Sequence, residues 1–145
     1  MTNRLHTNNV IPLPYEIEDI WLWNDIAGVE KDLNKVALYR KLITEEYNEF
    51  VDGFIDSAIS GFTDKDAEVE ELDACVDMIW VIVGYMRSRG WSKETVTAAI
   101  EEVRRSNYSK FVTKPDGTVE CVKRADGKIL KPDTFSPADI HSLLV

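Results

Sequence analysis

Residues 31–59 read KDLNKVALYRKLITEEYNEFVDGFIDSAI, and apolar side chains recur along them at intervals of three and four. The recurring row consists of Val36, Tyr39, Ile43, Tyr47, Phe50 and Phe54. Steps of this size place side chains on one face of an α-helix. The sequence therefore predicts a long amphipathic helix from about Lys31 to Ile59, ending near Gly61.

A second long helix is predicted from about Asp64 to Arg89. Thr63 offers an N-cap, acidic side chains fill the first turn, where the helix dipole favours them, and Gly90 is the expected end. The central run MIWVIV at 78–83 is also compatible with a buried strand, but the length of the segment and its cap favour a helix. A run that is apolar all round should be buried on most sides. We therefore expect a core that contains Met78, Ile79, Val81 and Ile82.

Shorter elements precede and follow the two long helices. Residues 1–14, which contain two prolines, should form an extended arm. The segment 15–28 is interpreted as a short helix or a packed flap that ends at a glycine. A fourth helix is predicted from Ser92 to about Ser106 or Asn107.

The C-terminal tail, residues 112–145, follows a different pattern. Asp-Gly pairs at 116–117 and 126–127 are hairpin-turn signals, and a further turn is expected at Pro137. The predicted fold class is all-α: a helical bundle of about four to five helices, assembled as an oligomer, with a small C-terminal β-hairpin. The whole chain, 1–145, is expected to form a single domain.

The chain has 145 residues, with 26 acidic and 17 basic side chains and a formal net charge of -9. This charge argues against binding to nucleic acid or to an anionic membrane surface, and it suits a protein that recruits divalent cations. No apolar run is long enough for a membrane span and no signal-peptide pattern is recognised, so we expect no membrane partner and a cytoplasmic location. Two cysteines, Cys75 and Cys121, and two histidines are too few and too scattered for a structural zinc site.

Two sets of acidic residues lie on the two long helices at spacings of about one turn. The first acidic set is Glu45, Glu46 and Glu49, and the second acidic set is Glu70, Asp73 and Asp77. This spacing brings the members of each set to one side of a helix. Acidic residues on helices are usually a solvated face. The second acidic set, however, leads directly into the most apolar run of the chain, where a solvated strip has little room.

If the two helices pack with these sides inward, six carboxylates converge. Burying unpaired carboxylates costs several kcal/mol for each ion, and few basic side chains lie close in sequence to neutralise them. Oxygen ligands without histidine or cysteine select hard cations, so we predict Mg²⁺, with Mn²⁺ as a substitute. An EF-hand at 64–75 fails because its sixth position is Val69 and its twelfth is Cys75. A ferritin-like di-iron site fails for want of histidine ligands.

The motifs that contain the two acidic sets resemble a known family. Residues 45–49, EEYNE, and residues 70–73, EELD, have the form E-E-x-x-E followed by E-x-x-D. The run RSNYSK at 105–110 resembles an S-N-x-S-K signature. Over about residues 30–140 the chain is similar to the all-α nucleoside triphosphate pyrophosphohydrolases, which include the MazG-like proteins, phosphoribosyl-ATP pyrophosphohydrolase and the dimeric dUTPases. The signature and the hairpin tail resemble a bacterial and phage branch of this superfamily.

The resemblance implies a reaction and roles for particular residues. Members hydrolyse a nucleoside triphosphate to the monophosphate and pyrophosphate with Mg²⁺, and they assemble as dimers or tetramers. Glu45 would orient or deprotonate the attacking water, and Asn107 and Lys110, three residues apart at a helix end, would hold sugar or phosphate. Arg40 and Trp23 complete the candidate substrate-binding set. The implied metal ligands are Glu46, Glu49, Glu70 and Asp73, with Asp77 as a further ligand or as a hydrogen-bond acceptor behind them.

Several alternatives remain open. The leading substrate is a purine deoxynucleotide such as dGTP, because the branch that this chain resembles includes such enzymes, and the expected setting is a bacterial or phage-infected cell. A non-catalytic acidic helical module of the same fold, which binds nucleotide or protein, is the main rival. Phosphoribosyl-ATP hydrolysis is less favoured, because the hairpin is an addition to that simpler pattern. Trp21 and Trp23 are either base-stacking residues or packing anchors.

Overall fold

Four helices contain most of the residues that this computed structural model describes. Those residues are 15–145, with side chains from Ile17 onward, and the predicted arm at 1–14 lies outside them. The helices are α1 (Tyr15–Ile26), α2 (Val36–Ile59), α3 (Lys65–Arg89) and α4 (Lys93–Tyr108). Two short antiparallel strands follow, β1 (Val112–Thr113) and β2 (Val119–Glu120), and a 3-10 turn spans His141–Leu143. The predicted all-α class with a small hairpin is confirmed.

The described residues fall into two compact units, the N-terminal unit at 15–92 and the C-terminal unit at 93–145. Helices α1 to α3 form the first, and α4, the two strands and the tail form the second. The single-domain expectation stays a prediction. In the part of the chain described, no helix combines the length and the apolar character needed to cross a bilayer.

Helices α2 and α3 pack as an antiparallel pair with two points of close approach. A Cβ atom built on Gly84 of α3 would lie 2.2 Å from Cε1 of Tyr39 on α2. A Cβ atom built on Gly53 of α2 would lie 3.1 Å from Cγ of Glu71 on α3. Glycine at these two positions therefore lets the helix backbones approach more closely than a larger side chain would allow.

The ends of the two long helices differ from the sequence prediction in detail. Helix α2 begins at Val36 rather than near Lys31, because the residues before it form a turn: the Asp32 side chain accepts from the Asn34 amide at 2.9 Å. The Asp64 side chain, and not Thr63, caps α3 by accepting from the amides of residues 66 and 67 at 3.0 and 3.3 Å. Gly90 ends α3 with a φ of 81°, as predicted.

The short helix α1 packs against α3 through Trp21. This side chain is 4% exposed, and the guanidinium carbon of Arg87 lies 4.9 Å from the centre of its ring. Arg87 also donates from Nε and Nη2 to the carbonyl oxygen of Val29 at 3.1 and 2.9 Å, and it forms an ion pair with Asp25. Trp21 is therefore a packing anchor that holds α1 and the loop after it against the end of α3.

The core of the N-terminal unit is smaller than the sequence predicts. Ile79 and Ile82 are 46% and 42% exposed, while Met78 and Val81 are only partly buried. The buried apolar residues of α3 are instead Ala67, Ala74 and Val83. The expectation that the run at 78–83 is buried on most sides was therefore wrong for a single chain, because α3 turns only part of its circumference toward α1 and α2.

The tail of the C-terminal unit contains two successive tight turns. The first connects β1 and β2, in the register Val112 with Glu120 and Thr113 with Val119. The second is closed by the amide of Arg124, which donates to the carbonyl of Lys128 at 2.8 Å. Both predicted Asp-Gly turns are confirmed. The turn expected at Pro137 lies earlier, where the amide of residue 135 donates to the carbonyl of residue 132 at 2.9 Å.

Polar side chains of α4 hold the returning tail. The Asp139 amide donates to Glu102 at 2.8 Å, and the Ser136 amide donates to the Ser109 hydroxyl at 2.8 Å. Arg105 donates to the Pro137 carbonyl at 2.9 Å and to the Glu102 carboxylate. The hydrogen bonds that Glu102 accepts, chiefly those from Arg105 and then that from the Asp139 amide, lower its pKa to about 2. Within the S-N-x-S-K run, Ser109 therefore has a structural role.

Candidate functional site

Glu46 lies midway between the two points where α2 and α3 approach most closely. It is seven residues from Tyr39 and seven from Gly53, which is about two helical turns in each direction. On α3, Asp77 is in the middle of the matching interval, between Glu71 and Gly84. The antiparallel pairing therefore brings Glu46 of the first acidic set opposite Asp77 of the second.

The Glu46 carboxylate is in an unfavourable electrostatic environment. Its Oε2 atom is buried and has no hydrogen-bond partner. Burial raises the pKa of Glu46, and neighbouring negative charges raise this pKa further; in decreasing order they belong to Glu49, Asp77, Glu45 and Asp73. Since two of these charges are on α3, the structure brings the two acidic sets together around Glu46.

Most of the other members of the two sets are more accessible than Glu46. Glu45, Glu49 and Asp73 are exposed, and Asp77 is partly buried. Glu70 is also exposed, one turn before Asp73, and it is not among the acids that shift the pKa of Glu46. Five of the six predicted carboxylates therefore lie close enough to interact electrostatically, namely Glu46 and the four acids that raise its pKa, and Glu70 is peripheral to them.

These neighbouring acids do not form a closed coordination shell. Among residues 15–145, no group of three or more His, Cys, Asp or Glu side chains comes together closely enough to hold a metal ion. A charge–charge interaction acts over several ångströms, whereas a Mg²⁺–oxygen bond is about 2.1 Å long. The acids can therefore raise the pKa of Glu46 and still be too far apart to coordinate one ion. The donor atoms are all carboxylate oxygens, and one of them is buried without a partner. This chemistry fits a hard divalent cation, which would neutralise the charge and draw the oxygen atoms inward.

A hydrogen bond that the sequence analysis missed connects the two helices beside the acids. The hydroxyl of Ser57, a residue only 2% exposed, donates to Oε1 of Glu71. Glu71 is therefore engaged with α2, although its neighbour Glu70 is exposed. The signal in the sequence was the pair of small residues Gly53 and Ser57, four apart on α2, which is typical of a close helix contact.

Two predicted substrate-binding residues lie in the same unit as the acids. Trp23 of α1 is 51% exposed, and its ring contacts the ring of Trp80 edge to face, with centroids 5.6 Å apart. Trp80 is three residues after Asp77 on α3, so this pair of indoles lies about one turn from the acids. Arg40 is exposed on α2, six residues before Glu46.

The other two predicted substrate-binding residues are in the C-terminal unit. Lys110 donates from Nζ to Oδ1 of Asn107 at 2.8 Å, so the two side chains lie together at the end of α4, as their spacing suggested. Asn107 is exposed and Lys110 is partly buried. The pair presents an amide and a cation side by side, a combination that suits a phosphate or a sugar hydroxyl.

Comparison with known proteins does not assign the chain to a family. A scan against models of protein families finds none that matches, and a search of curated proteins finds no matching relative. The residues, their motifs and their geometry are therefore the basis on which a function can be inferred.

Proposed function

We propose that this protein is a Mg²⁺-dependent nucleoside triphosphate diphosphatase of the all-α pyrophosphohydrolase type. The observation that carries the proposal is the carboxylate of Glu46, which has one buried oxygen without a hydrogen-bond partner and a raised pKa among acids from two helices. A protein retains so costly an arrangement most readily where a ligand compensates for it. The E-E-x-x-E and E-x-x-D motifs support the same conclusion.

In this proposal members of both acidic sets bind the cation, and Glu45 acts on the attacking water. The cation would be held by carboxylates that surround the interface between α2 and α3, and these are Glu46, Glu49, Asp73 and Asp77, with Glu70 at the margin. When bound, Mg²⁺ or Mn²⁺ supplies positive charge for the oxygens of the triphosphate. Glu45 is exposed beside Glu46 and would orient the attacking water and accept its proton.

The predicted substrate-binding residues carry groups that suit a nucleotide, two of them in each unit. Arg40 and Lys110 offer positive charge for phosphate oxygens, and Asn107 offers an amide for sugar or phosphate. Trp23 presents an accessible indole beside the acids, which suits stacking on a purine. A purine deoxynucleoside triphosphate such as dGTP is the proposed substrate, in the cytoplasm of a bacterial or phage-infected cell.

The direct test is to incubate the protein with each common dNTP and NTP in the presence of Mg²⁺. Phosphorus NMR should detect monophosphate and pyrophosphate in equal amounts. Chelation with EDTA should abolish turnover, and added Mn²⁺ should restore it. Release of inorganic phosphate without pyrophosphate would contradict the assigned reaction.

One observation favours the rival reading of a binding module without turnover. The acids do not converge into a metal-holding group among the described residues, and a charged helical face of this kind also suits nucleotide or protein binding. Calorimetry distinguishes the two readings, because a binding module would take up nucleotide with no products after prolonged incubation.

We also propose that the protein is a homo-oligomer, a dimer or a tetramer. A row of exposed apolar side chains follows α3 at steps of four, three and three residues: Leu72, Val76, Ile79 and Ile82. A second copy would remove this row from water. Light scattering coupled to size exclusion should give at least twice the mass of one chain, and Val76→Glu should lower it. A monomeric wild-type protein at working concentration would refute the proposal.

A further inference from the structure

A group of exposed apolar side chains, the tip patch, surrounds the end of α2 and the turn into α3. Ile59 and Phe62 are its most accessible members, at 80% and 67% exposed. Ile55 and Ile59 are each two residues from Ser57, which contacts α3, so they lie about 160° around α2 from it, on the side away from α3. The tip patch consists of Phe54, Ile55, Ala58, Ile59 and Phe62.

Phe62 is held in a strained backbone conformation. Its φ is 61°, and no other non-glycine residue among those described has a positive φ. This conformation is costly for an aromatic residue and persists only where neighbouring contacts enforce it. The Phe62 amide donates to the Ser57 carbonyl at 2.7 Å, and the amides of Thr63 and Asp64 donate to the Ser60 hydroxyl at 3.3 and 3.1 Å. The turn therefore keeps an aromatic ring exposed where asparagine or glycine would be less strained.

The surroundings of the tip patch are acidic. Asp52 and Asp56 are exposed, one turn apart, on the strip of α2 next to the two isoleucines. No lysine or arginine occurs between Lys41 and Lys65, and Lys65 is paired with Glu68. Two copies joined through this surface would bring uncompensated acids into one interface, which like-charge repulsion opposes. A partner that supplies positive charge avoids this cost.

We propose that the tip patch binds a basic amphipathic helix of another protein. Its apolar stripe would cover the patch, and lysines or arginines along the border of the stripe would pair with Asp52 and Asp56. Ile59 is thirteen residues after Glu46, roughly 20 Å along α2, so this surface is separate from the proposed cation site. The inference therefore does not depend on the proposed function.

The test uses a synthetic helical peptide that has leucines at steps of three and four residues and lysines at its other positions. Calorimetry with the full chain should detect binding, and Phe62→Asn and Ile59→Ser should each weaken it at least about tenfold. Because asparagine adopts a positive φ more readily, Phe62→Asn should melt no lower than wild type. A purely structural role of Phe62 would instead lower the melting temperature.

Leu38→Ser is the matched control for the loss of an exposed apolar side chain. Leu38 is 50% exposed on α2, twenty-one residues before Ile59 and roughly 30 Å from it along the helix. This variant should bind the peptide as wild type does. Replacing both Asp52 and Asp56 by asparagine should weaken binding and reduce its dependence on salt concentration.

A scrambled peptide of the same composition, which lacks the apolar stripe, should bind much more weakly. If it binds as tightly as the helical peptide, or if the tip variants bind as wild type, the net negative charge of the protein attracts the peptide and the proposal is overturned. Absence of binding to wild type overturns it as well. If Ile59→Ser or Phe62→Asn lowers the mass measured by light scattering, a second copy covers the patch and the proposal is again overturned. If Phe62→Asn does not fold, Ile59→Ser decides the result.

Discussion

Glu46→Gln should abolish nucleotide hydrolysis and at the same time make the metal-free protein more stable. The neutral amide cannot replace a ligand carboxylate, so turnover should fall by at least about 10²-fold. Without a cation, however, the same change removes a partly buried charge that is repelled by four neighbouring acids. The melting temperature in EDTA should therefore rise, by roughly 4 °C. Thermal unfolding and product analysis measure the two effects.

The pH dependence of this variant isolates the contribution of Glu46. Because the pKa of Glu46 is raised in the folded protein, its ionisation opposes folding. That destabilisation is complete above the raised pKa and disappears as the pH falls toward the ordinary glutamate value of 4.5. The stability advantage of Glu46→Gln over wild type should therefore be largest at neutral pH and vanish in acid. A constant difference in stability across this range would contradict the assigned cause.

Glu68→Gln is the matched control for this prediction. Glu68 is an exposed acid on α3 that pairs with Lys65 and lies outside both acidic sets. Its replacement should leave hydrolysis unchanged and should not raise the melting temperature. Mg²⁺ should raise the melting temperature of wild type and of Glu68→Gln, but much less that of Glu46→Gln. If Glu46→Gln still hydrolyses nucleotide at the wild-type rate, Glu46 is not a ligand of the catalytic cation.

Gly84→Ala should destabilise the N-terminal unit more than any other single methyl addition among its helical glycines. The new Cβ would lie 2.2 Å from Cε1 of Tyr39, so the ring or the helices must move. Overpacking of this kind costs about 1–3 kcal/mol, which outweighs the gain of about 1 kcal/mol from replacing a helical glycine. Because the movement also separates Glu46 from Asp77, hydrolysis should fall as well. Urea unfolding measures the first effect.

Gly53→Ala and a double-mutant cycle test the cause of this effect. At Gly53 the new Cβ would lie 3.1 Å from Cγ and 3.2 Å from the backbone nitrogen of Glu71, so the crowding is milder than at Gly84 and the helix-propensity gain should offset part of it. Tyr39→Ala should cost less stability in the Gly84→Ala protein than in wild type, because it removes the ring that collides with the new Cβ at position 84. Additive effects of the two changes would show that the ring is not what Gly84 accommodates.

The candidate site was partly predictable from sequence. Spacing alone placed Glu46 and Glu49 on one side of α2, and Asp73 and Asp77 on one side of α3, because helical periodicity is a local property. The helix ends were less predictable: Asp64 rather than Thr63 caps α3, since neighbouring residues compete for the same backbone amides. The small residues Gly53 and Ser57 indicated a close helix contact on α2, but Glu71 as the partner of Ser57 was not predictable, because their meeting depends on how two helices pack.

Local sequence determined which segments of this protein are helical, where the Asp-Gly turns fall and that acidic residues share helix faces. Those features depend on backbone propensity and on periodicity over a few residues. Only the tertiary structure decided that Glu46 has a buried carboxylate oxygen without a partner, that Asp77 lies opposite it and that Glu70 is peripheral. The reason is physical: burial and the distances between charges depend on the register of α2 against α3, and contacts such as Tyr39 with Gly84, far apart in sequence, set that register.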